Sequence, residues 1–294
     1  MKTKSHFSLK YGIHSPEAIV QWAVDSAYPY VFLADINSTG AVLAFVREAQ
    51  RKGIPAVVGV ELRNGRERMA TIIARNNHGL NELNVFLSQF IHQGKPFPKE
   101  LPHFSSCYVC YPIEQYPTKL KEHEYIEIQV NDVIYLNLTY KKVPRGKLIA
   151  LQSMIFQSKA DFNAHRLLRA IDHNCLLSKL EKEDQANENE RFMSYEEWRN
   201  GFVDYPEIIE CTEALFGRCR VNFEFGDDAK PQNPTTYTGS IEGDRALLKE
   251  LCAEGLDYRY GVVTDEIIER IEMEIDVIAE KHYLSYFLIT WDFT

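Results

Sequence analysis

The sequence predicts an α/β fold, a distorted barrel of about seven strands followed by a smaller, mainly helical C-terminal segment. Three observations support this. Short apolar runs alternate with helical patterns over residues 5–160. One run, AVVGVEL at 56–62, is almost continuously apolar, as expected for a strand that is covered on both faces of a parallel sheet. After residue 160 the strand signal fades and helical periodicity dominates.

The N-terminal elements follow from local signals. Ser15 is a typical helix N-cap, and the proline after it suits the first helical position. A strand is predicted at 31–35, then a helix over 41–51 that stops at Gly53, then the strand at 56–62. We expect this strand, helix, strand unit to form a right-handed crossover between parallel strands.

Further β-rich runs extend the predicted sheet to six or seven strands, at residues 69–74, 107–111, 125–130 and 147–152. That number of strands with intervening helices favours a closed or nearly closed barrel. The alternative is an open, doubly wound sheet, although the glycine-rich nucleotide loop typical of that fold is missing.

The C-terminal part is predicted to be helical and interrupted by loops. The charged tract at 181–190 has almost no apolar residues and predicts a solvated loop. Helices are predicted over 242–258 and 265–281. The aromatic segment YFLITWDF then follows without a capping signal. We interpret it as the interrupted edge of a domain, with side chains that would pack in the core of that domain.

A stretch rich in Pro, Gly, Asn and Thr at 226–240 indicates a boundary between two domains. The predicted organisation is therefore a first domain over 1–226, a linker over 227–242, and the start of a second domain over 243–294.

Composition excludes several classes of protein. A net charge of -9 gives no basic surplus of the kind that dedicated nucleic-acid binders use, so contact with DNA must come from a local patch or a partner. No apolar run approaches the roughly 18 to 20 residues of a membrane span, and the polar start MKTKSH lacks the apolar core of a signal peptide. Six scattered cysteines fit reduced thiols, so we expect a cytoplasmic protein.

The chain resembles the family of bacterial DNA polymerase III alpha subunits. The resemblance rests on five blocks in a fixed order: HFSLKYG, LADINSTGAVLAFVREAQRKGIPAVVGVEL, IIARNNHGLNEL, LLKELCAEGLDYRYG and RIEMEIDVIAEKHYLSYFLITWDF. The last block is the most specific, because such residues mark the entry to the palm domain in that family. The resemblance implies a PHP (polymerase and histidinol phosphatase) domain, a TIM-like α/β barrel, for 1–226, and the beginning of the palm from 243.

The resemblance also implies where catalysis would occur. The palm aspartates that hold two Mg²⁺ ions for nucleotidyl transfer would lie beyond Thr294. This segment by itself is therefore expected to be inactive and to hold no cofactor.

Active PHP domains resemble one another in binding a metal cluster through His, Asp and Glu ligands. The positions of this chain that align with that site are Lys2, Lys4, Tyr11, Asp35, Ile36, Glu61, Asn131, Ser153 and Ile155. Glu61 alone stands where a ligand is required, and Asp35 is kept beside a lost histidine. An ammonium group repels divalent ions and isoleucine has no lone pair to donate, so we predict that no metal is bound.

Loss of the metals raises the question of what neutralises the remaining acids, because an unpaired buried charge costs several kcal/mol. We hypothesise that Lys2 or Lys4, pointing inward from the first strand, pairs with Glu61 or Asp35. The alternative is that both lysines lie in a frayed N-terminus.

Three functions are considered. The first is a non-catalytic PHP module of a replicative polymerase, a scaffold that braces the palm and, by family resemblance, docks the proofreading exonuclease subunit. The second is an active metal-dependent phosphoesterase or 3′ to 5′ exonuclease, which the missing histidines disfavour. The third is a free-standing binding protein, which the abrupt end at Thr294 disfavours.

Other candidate residues have simpler explanations. The CxxC pair is most simply two strand residues on opposite faces, and the histidines are most simply surface, cap, turn or packing residues. These residues are Cys107, Cys110, His6 (surface or cap), His78 (turn), His165 and His173 (packing or surface).

Overall fold

The first part of the chain forms a mixed sheet with helices around it. The computed structural model describes residues 1–140, 143–226, 229 and 235–294, which divide into two compact units, Met1–Phe223 and Glu224–Thr294. The strands are β1 (Lys2–Thr3), β2 (Val31–Ile36), β3 (Ala56–Asn64), β4 (Glu67–Ala74), β5 (Cys107–Pro112), β6 (Glu124–Ile128), β7 (Leu148–Ala150) and β8 (Ser153–Met154). All lie in the first unit, and the predicted α/β class is confirmed.

The eight strands follow the order β7-β6-β5-β4-β3-β2-β1-β8. The neighbours are parallel except for β3 with β4 and β4 with β5, which are antiparallel. The helix predicted over 41–51 connects β2 to β3, and these two strands pair in parallel with Ile36 opposite Glu61.

The two edges of this sheet are joined by one extended segment, residues 148–154. β7 pairs with β6, while β8, which follows after two residues, pairs with β1 at the other end of the strand order. The two connecting residues continue the bonding, since Leu151 N donates to Ile128 O at 2.9 Å and Lys2 N donates to Gln152 O at 2.7 Å. The sheet therefore curls until a single segment bonds to both edges. Counted as one strand, this segment gives the predicted seven.

Six helices of the first unit surround the sheet: α1 (Pro16–Asp25), α2 (Val42–Lys52), α3 (Asn77–Ile91), α4 (Lys159–Asp172), α5 (Tyr195–Asn200) and α6 (Pro206–Phe216). The predicted cap is confirmed, because the Ser15 side chain accepts a hydrogen bond from Ala18 N. The predicted stop is also confirmed. Gly53 follows α2 in a left-handed conformation with φ of 70°, which a residue without a Cβ adopts at no steric cost.

The interior of the curled sheet is apolar at the end that α6 covers. Phe32, Ile73 and Tyr108 belong to one buried cluster with Leu215 and Phe216 of α6. These strand residues come from β2, β4 and β5, so their side chains meet across the interior. The same face carries charged residues toward its other end.

The charged tract 181–190 is a loop that is exposed at 181–183 and 187–189, as the sequence predicts, but two of its residues are anchored. Asp184 and Ala186 are buried, and Ala186 packs with Tyr11 and Phe156. The Asp184 carboxylate lies 2.6 Å from the Arg66 guanidinium. The tract is held by tertiary contacts that its own composition does not reveal.

The second unit consists of α7 (Ile241–Tyr260), α8 (Asp265–Glu280) and α9 (Leu284–Phe293), which confirms the two helices predicted there. Leu248, Ile275, Leu284 and Leu288 form its buried cluster. Seven of the sixteen positions of the predicted linker at 227–242 lie outside the described residues, and its last two positions belong to α7. In the part of the chain that the structure describes, no helix is long and apolar enough to cross a membrane.

His165 on α4 ties the charged tract to the N-terminal loop. Its Nδ1 lies 2.7 Å from the Tyr11 carbonyl oxygen, and its Nε2 accepts a hydrogen bond from Ala186 N at 2.9 Å. Since Nε2 accepts, the ring is neutral and Nδ1 carries the proton. Burial lowers the pKa of this imidazole to about 4, although the Tyr11 carbonyl opposes the shift.

We predict that His165 makes the protein less stable as the pH falls from about 6.5 to about 4. The unfolded histidine binds a proton in this window while the folded one does not. The neutral, buried His165 therefore contributes roughly 3 kcal/mol to the free energy of unfolding above pH 6.5, and this contribution is lost progressively as the pH falls to about 4. Urea unfolding of wild type and His165→Gln at pH 7.5, 6.0 and 5.0 measures this. The variant should lose stability less steeply, and parallel curves would contradict the prediction.

Candidate functional site

Six charged residues form a cluster at the polar end of the barrel interior, four of them buried and the two arginines partly buried. This charge cluster consists of Lys2, Lys4, Glu61, Arg63, Arg68 and Glu127. Lys2, Lys4 and Glu61 are each at most 1% exposed, which excludes the frayed N-terminus.

The alternation of side chains along the strands explains why these groups converge. Residues two apart in a strand point to the same face, so Lys2 and Lys4 share a side and Glu61 and Arg63 share a side. Thr3, between the lysines, points away and donates to the Phe32 carbonyl at 2.7 Å. The curl of the sheet then brings these faces together.

Glu61 is the centre of the cluster. Its Oε2 lies 2.8 Å from Lys2 Nζ and 3.0 Å from Lys4 Nζ, and its Oε1 accepts from Arg63 Nε at 2.7 Å. The hypothesis that an inward lysine pairs with Glu61 is therefore confirmed, and both lysines do so.

A second carboxylate, Glu127 on β6, completes the cluster. It lies 3.0 Å from Lys2 Nζ and 3.1 Å from Arg68 Nη1, and it accepts a hydrogen bond from Thr71 Oγ1 at 2.7 Å. Lys2 thus bridges the two acids. Glu127 is not among the site residues predicted from the sequence, although a single acid inside the apolar run YIEI is a signal for a buried, paired charge.

The electrostatics of the cluster favour ionised acids. Burial alone would raise the pKa of the Glu61 carboxyl, but Arg63, Lys2 and Lys4 together hold it well below its usual range. Burial likewise opposes ionisation of Glu127, and Lys2 and Arg68 reverse the effect, so its pKa is lowered. Burial lowers the pKa of Lys4 to about 8. The nearby cations Lys2 and Arg63 lower this pKa further, and the attraction of Glu61 opposes the shift.

Asp35 does not join the cluster. It is adjacent to Ile36, which stands opposite Glu61, so alternation turns the Asp35 side chain to the other face of β2. There it accepts three hydrogen bonds of 2.7 Å, from Ser5 N, Ser5 Oγ and Ser8 Oγ. Burial raises the pKa of Asp35, and the two serines oppose the shift. Of the two acids named in the hypothesis, Glu61 is therefore the one that pairs with the lysines, and Asp35 is hydrogen-bonded to serines instead.

Two more aligned positions contact the cluster. The Ser153 hydroxyl lies 3.4 Å from Lys4 Nζ, and the Tyr11 hydroxyl lies 3.4 Å from Arg63 Nη2. Burial raises the pKa of Tyr11 to about 12, so it remains a phenol.

The last three aligned positions do not contact it. Ile36 and Ile155 pack with Tyr11 in an apolar cluster. Asn131 is exposed in a short 3₁₀ turn, Val130–Tyr135. The aligned set is therefore brought only partly together, because the polar residues Asp35 and Asn131 lie outside the cluster.

The donor set does not fit a metal ion. Among the described residues, no group of three or more His, Cys, Asp and Glu is placed to hold one. The carboxylate oxygens of the two acids, Glu61 and Glu127, are paired with lysine and arginine cations. These oxygens are therefore not free to coordinate a divalent ion.

An open cleft of about 540 Å³ lies above Arg63 and Tyr11. Its other arginines are also paired with acids, Arg66 with Asp184 and Arg169 with Asp172. Among the described residues that line this cleft, no nucleophilic side chain is hydrogen-bonded to a base that could activate it.

The remaining candidates have structural roles. Cys107 Sγ donates to the Gly79 carbonyl, Cys110 lies in the apolar core, and burial raises the pKa of both thiols. His6 and His173 are exposed, and His165 is buried. His78 is not a turn residue as predicted, because the side chain of Asn76 caps α3 and includes His78 in the first turn.

Comparisons with known proteins agree with this architecture. Residues 1–111 match the family model described as PHP domain, and residues 246–294 match the one described as bacterial DNA polymerase III alpha NTPase domain. The DNA polymerase III subunit alpha of Pasteurella multocida is 23% identical, aligned over 100% of this chain and 29% of its own length. The Bacillus subtilis subunit is 32% identical over 46% of this chain and 12% of its own.

A solved amidohydrolase structure from Chromobacterium violaceum overlaps 59% of this chain and 83% of its own, at 14% identity and a TM-score of 0.26. That score is too low to support an argument.

The first unit thus carries a match to the PHP domain over residues 1–111, and its charge cluster does not fit a metal cluster. Along its whole length the chain is similar to the bacterial DNA polymerase III alpha subunits, which confirms the resemblance inferred from its sequence. It spans about 29% of the length of the Pasteurella multocida subunit.

We predict that Glu61→Gln destabilises the protein by about 3 to 5 kcal/mol, because it leaves two ammonium groups and a guanidinium buried without their shared countercharge. Urea unfolding at pH 7.5 measures the loss. The matched control is Glu17→Gln, an exposed position expected to change stability by less than about 0.5 kcal/mol. Equal effects of the two variants would refute the central role of Glu61.

The two lysines should differ in importance. Lys2→Met removes a cation shared by Glu61 and Glu127 and should cost about 3 kcal/mol or more. Lys4→Met leaves Glu61 paired with Lys2 and Arg63, and removes the ammonium with the lowered pKa, so it should cost about 1 kcal/mol or less. The same unfolding assay ranks them, and a reversed order would contradict the bridging geometry.

Proposed function

We propose that this chain is the N-terminal portion of a DNA polymerase III alpha subunit, and that its PHP domain serves as a scaffold. The parent chain would carry out DNA replication in the cytoplasm, with Mg²⁺ held by a palm outside this segment. The observation that supports a scaffold is the charge cluster, in which Lys2, Lys4 and Arg63 surround the one acid retained at an aligned metal position.

A structural role follows from the energetics of that cluster. Four buried charged groups, paired with one another and with two partly buried arginines, have few alternative arrangements, since any displacement leaves a charge unpaired in a medium of low dielectric. Such a core is rigid. Rigidity suits a domain that braces a neighbour, whereas a hydrolytic site needs open coordination positions for metal and water.

The alternative function, a metal-dependent phosphoesterase or 3′ to 5′ exonuclease, makes opposite predictions. We expect the purified chain, dialysed against excess Mn²⁺ or Zn²⁺ and then against buffer, to retain far less than one metal ion per chain. We also expect no hydrolysis of p-nitrophenyl phosphate or single-stranded DNA in added Mn²⁺. Elemental analysis and both assays check this. Stoichiometric metal together with turnover that Glu61→Gln abolishes would establish the alternative.

We propose further that the outer face of α4 docks a protein partner, the proofreading exonuclease subunit by family resemblance. This outer face consists of Ala160, Ala164, Leu167 and Ile171, all exposed, with Leu167 and Ile171 53% and 57% exposed. A surface helix usually turns its apolar stripe inward. α4 instead turns His165 inward and presents aliphatic side chains outward, as interfaces do.

The docking surface is tested with Leu167→Glu/Ile171→Glu and the exonuclease subunit encoded by the same genome. Titration calorimetry should show at least tenfold weaker binding, because two carboxylates would have to be desolvated at the interface. Val85→Glu/Val203→Glu, which changes two exposed valines elsewhere, is the matched control and should bind as wild type does. Undiminished binding by the α4 variant would exclude this face.

A further inference from the structure

A groove on the surface of the first unit is lined by cationic and neutral side chains. It has a volume of about 640 Å³, and its lining residues are Tyr116, Pro117, Thr118, Lys119, Leu120, Pro144 and Lys147. We call it the lysine groove. None of these described lining residues is acidic, in a chain whose net charge is -9. The groove is therefore a local exception to the overall charge.

Lys147 is fixed in place without being neutralised. Its Nζ donates to the backbone carbonyls of Lys121 at 3.1 Å and Glu122 at 2.7 Å, and it lies 4.9 Å from the centre of the Tyr125 ring. Carbonyl oxygens and an aromatic face orient an ammonium group but carry no net charge. One of its three N–H donors is left for a ligand, at a position that needs no reorganisation.

The surroundings add positive charge. The described residues of 119–147 contain four Lys and Arg against four Asp and Glu, and one of those acids, Glu127, is buried in the barrel. Arg145 donates to the Leu136 carbonyl and to Asn137 Oδ1, both neutral acceptors. The nearby acid Glu124 is engaged by Lys121, whose backbone N–H donates to it at 2.8 Å. Glu122 is the acid that remains exposed beside the groove.

The groove continues into a second cavity of about 400 Å³. The two share Tyr116, Pro117 and Lys119, and the second is also lined by Lys99 and Lys121. Its acids are Glu67, Glu100 and Glu124. The lysine groove thus forms the more cationic end of a longer channel, with the half-buried Tyr116 ring where the two meet.

We propose that the lysine groove binds single-stranded nucleic acid, with Lys119 and Lys147 on the phosphates and Tyr116 as the stacking surface for a base. Proteins that bind single strands without sequence preference combine cations along the backbone with aromatic rings beneath the bases. The volume suits one or two nucleotides rather than the width of a duplex. This site is separate from the charge cluster, so its failure would leave the scaffold proposal intact.

The test is fluorescence anisotropy with a labelled 15-nucleotide oligo(dT) and the complete 294-residue chain, at several salt concentrations. Lys119→Ala should weaken binding several-fold, and the slope of log affinity against log salt should fall by about 0.7, the value for one phosphate contact on a single strand. Tyr116→Leu should weaken binding about tenfold with an unchanged slope, because stacking releases no counterions.

Lys179→Ala is the matched control, since it removes one exposed lysine elsewhere and changes the net charge equally. It should bind as wild type does. The proposal is overturned if wild type does not bind the oligonucleotide at 50 mM salt, if Lys179→Ala loses as much affinity as Lys119→Ala, or if Tyr116→Leu has no effect. Equally tight binding of an acidic peptide would assign the groove to a protein ligand instead.

Discussion

The interaction on which the first unit depends is the bridge from Lys2 to the carboxylates of Glu61 and Glu127. It connects β1 to β3, which lies two positions away in the order of the sheet, and to β6, which lies five positions away. β1 itself is only two residues long and can contribute few backbone hydrogen bonds. The ion pairs of Lys2 therefore supplement the few backbone hydrogen bonds that hold β1 in the curled sheet. They form in the buried interior, where solvent ions do not screen them.

Placing charges inside a barrel is costly unless each is paired, and this chain meets that condition by clustering them. The interior is divided along its length. Aromatic and aliphatic residues fill the end covered by α6, and the six ionic groups fill the other end, where an active PHP domain would hold metals. Fixed ammonium and guanidinium groups provide the same sign of charge as metal ions, so the barrel keeps its shape. They offer no Lewis acidity and no open coordination position for water.

The surface features point outward from this rigid interior. The outer face of α4 is aliphatic and the lysine groove is cationic, so the two would recognise different ligands by different forces, apolar burial in one case and counterion release in the other. The residues of neither feature belong to the charge cluster. Because these surface features are separate from the charge cluster, their residues can be changed without removing the interactions that stabilise the interior.

Features that depend on neighbours along the chain could be predicted from the sequence. They are the strands near 31–35 and 56–62, the Ser15 cap, the stop at Gly53 and two of the three helices of the second unit, because periodicity and capping are local properties. Tertiary structure alone decided which acids meet which cations. Glu127 and Arg68 belong to the cluster, Asp35 is hydrogen-bonded to Ser5 and Ser8, and Asp184 and Ala186 are buried. These contacts join residues that are distant in sequence, so they depend on the register of the strands and the curl of the sheet.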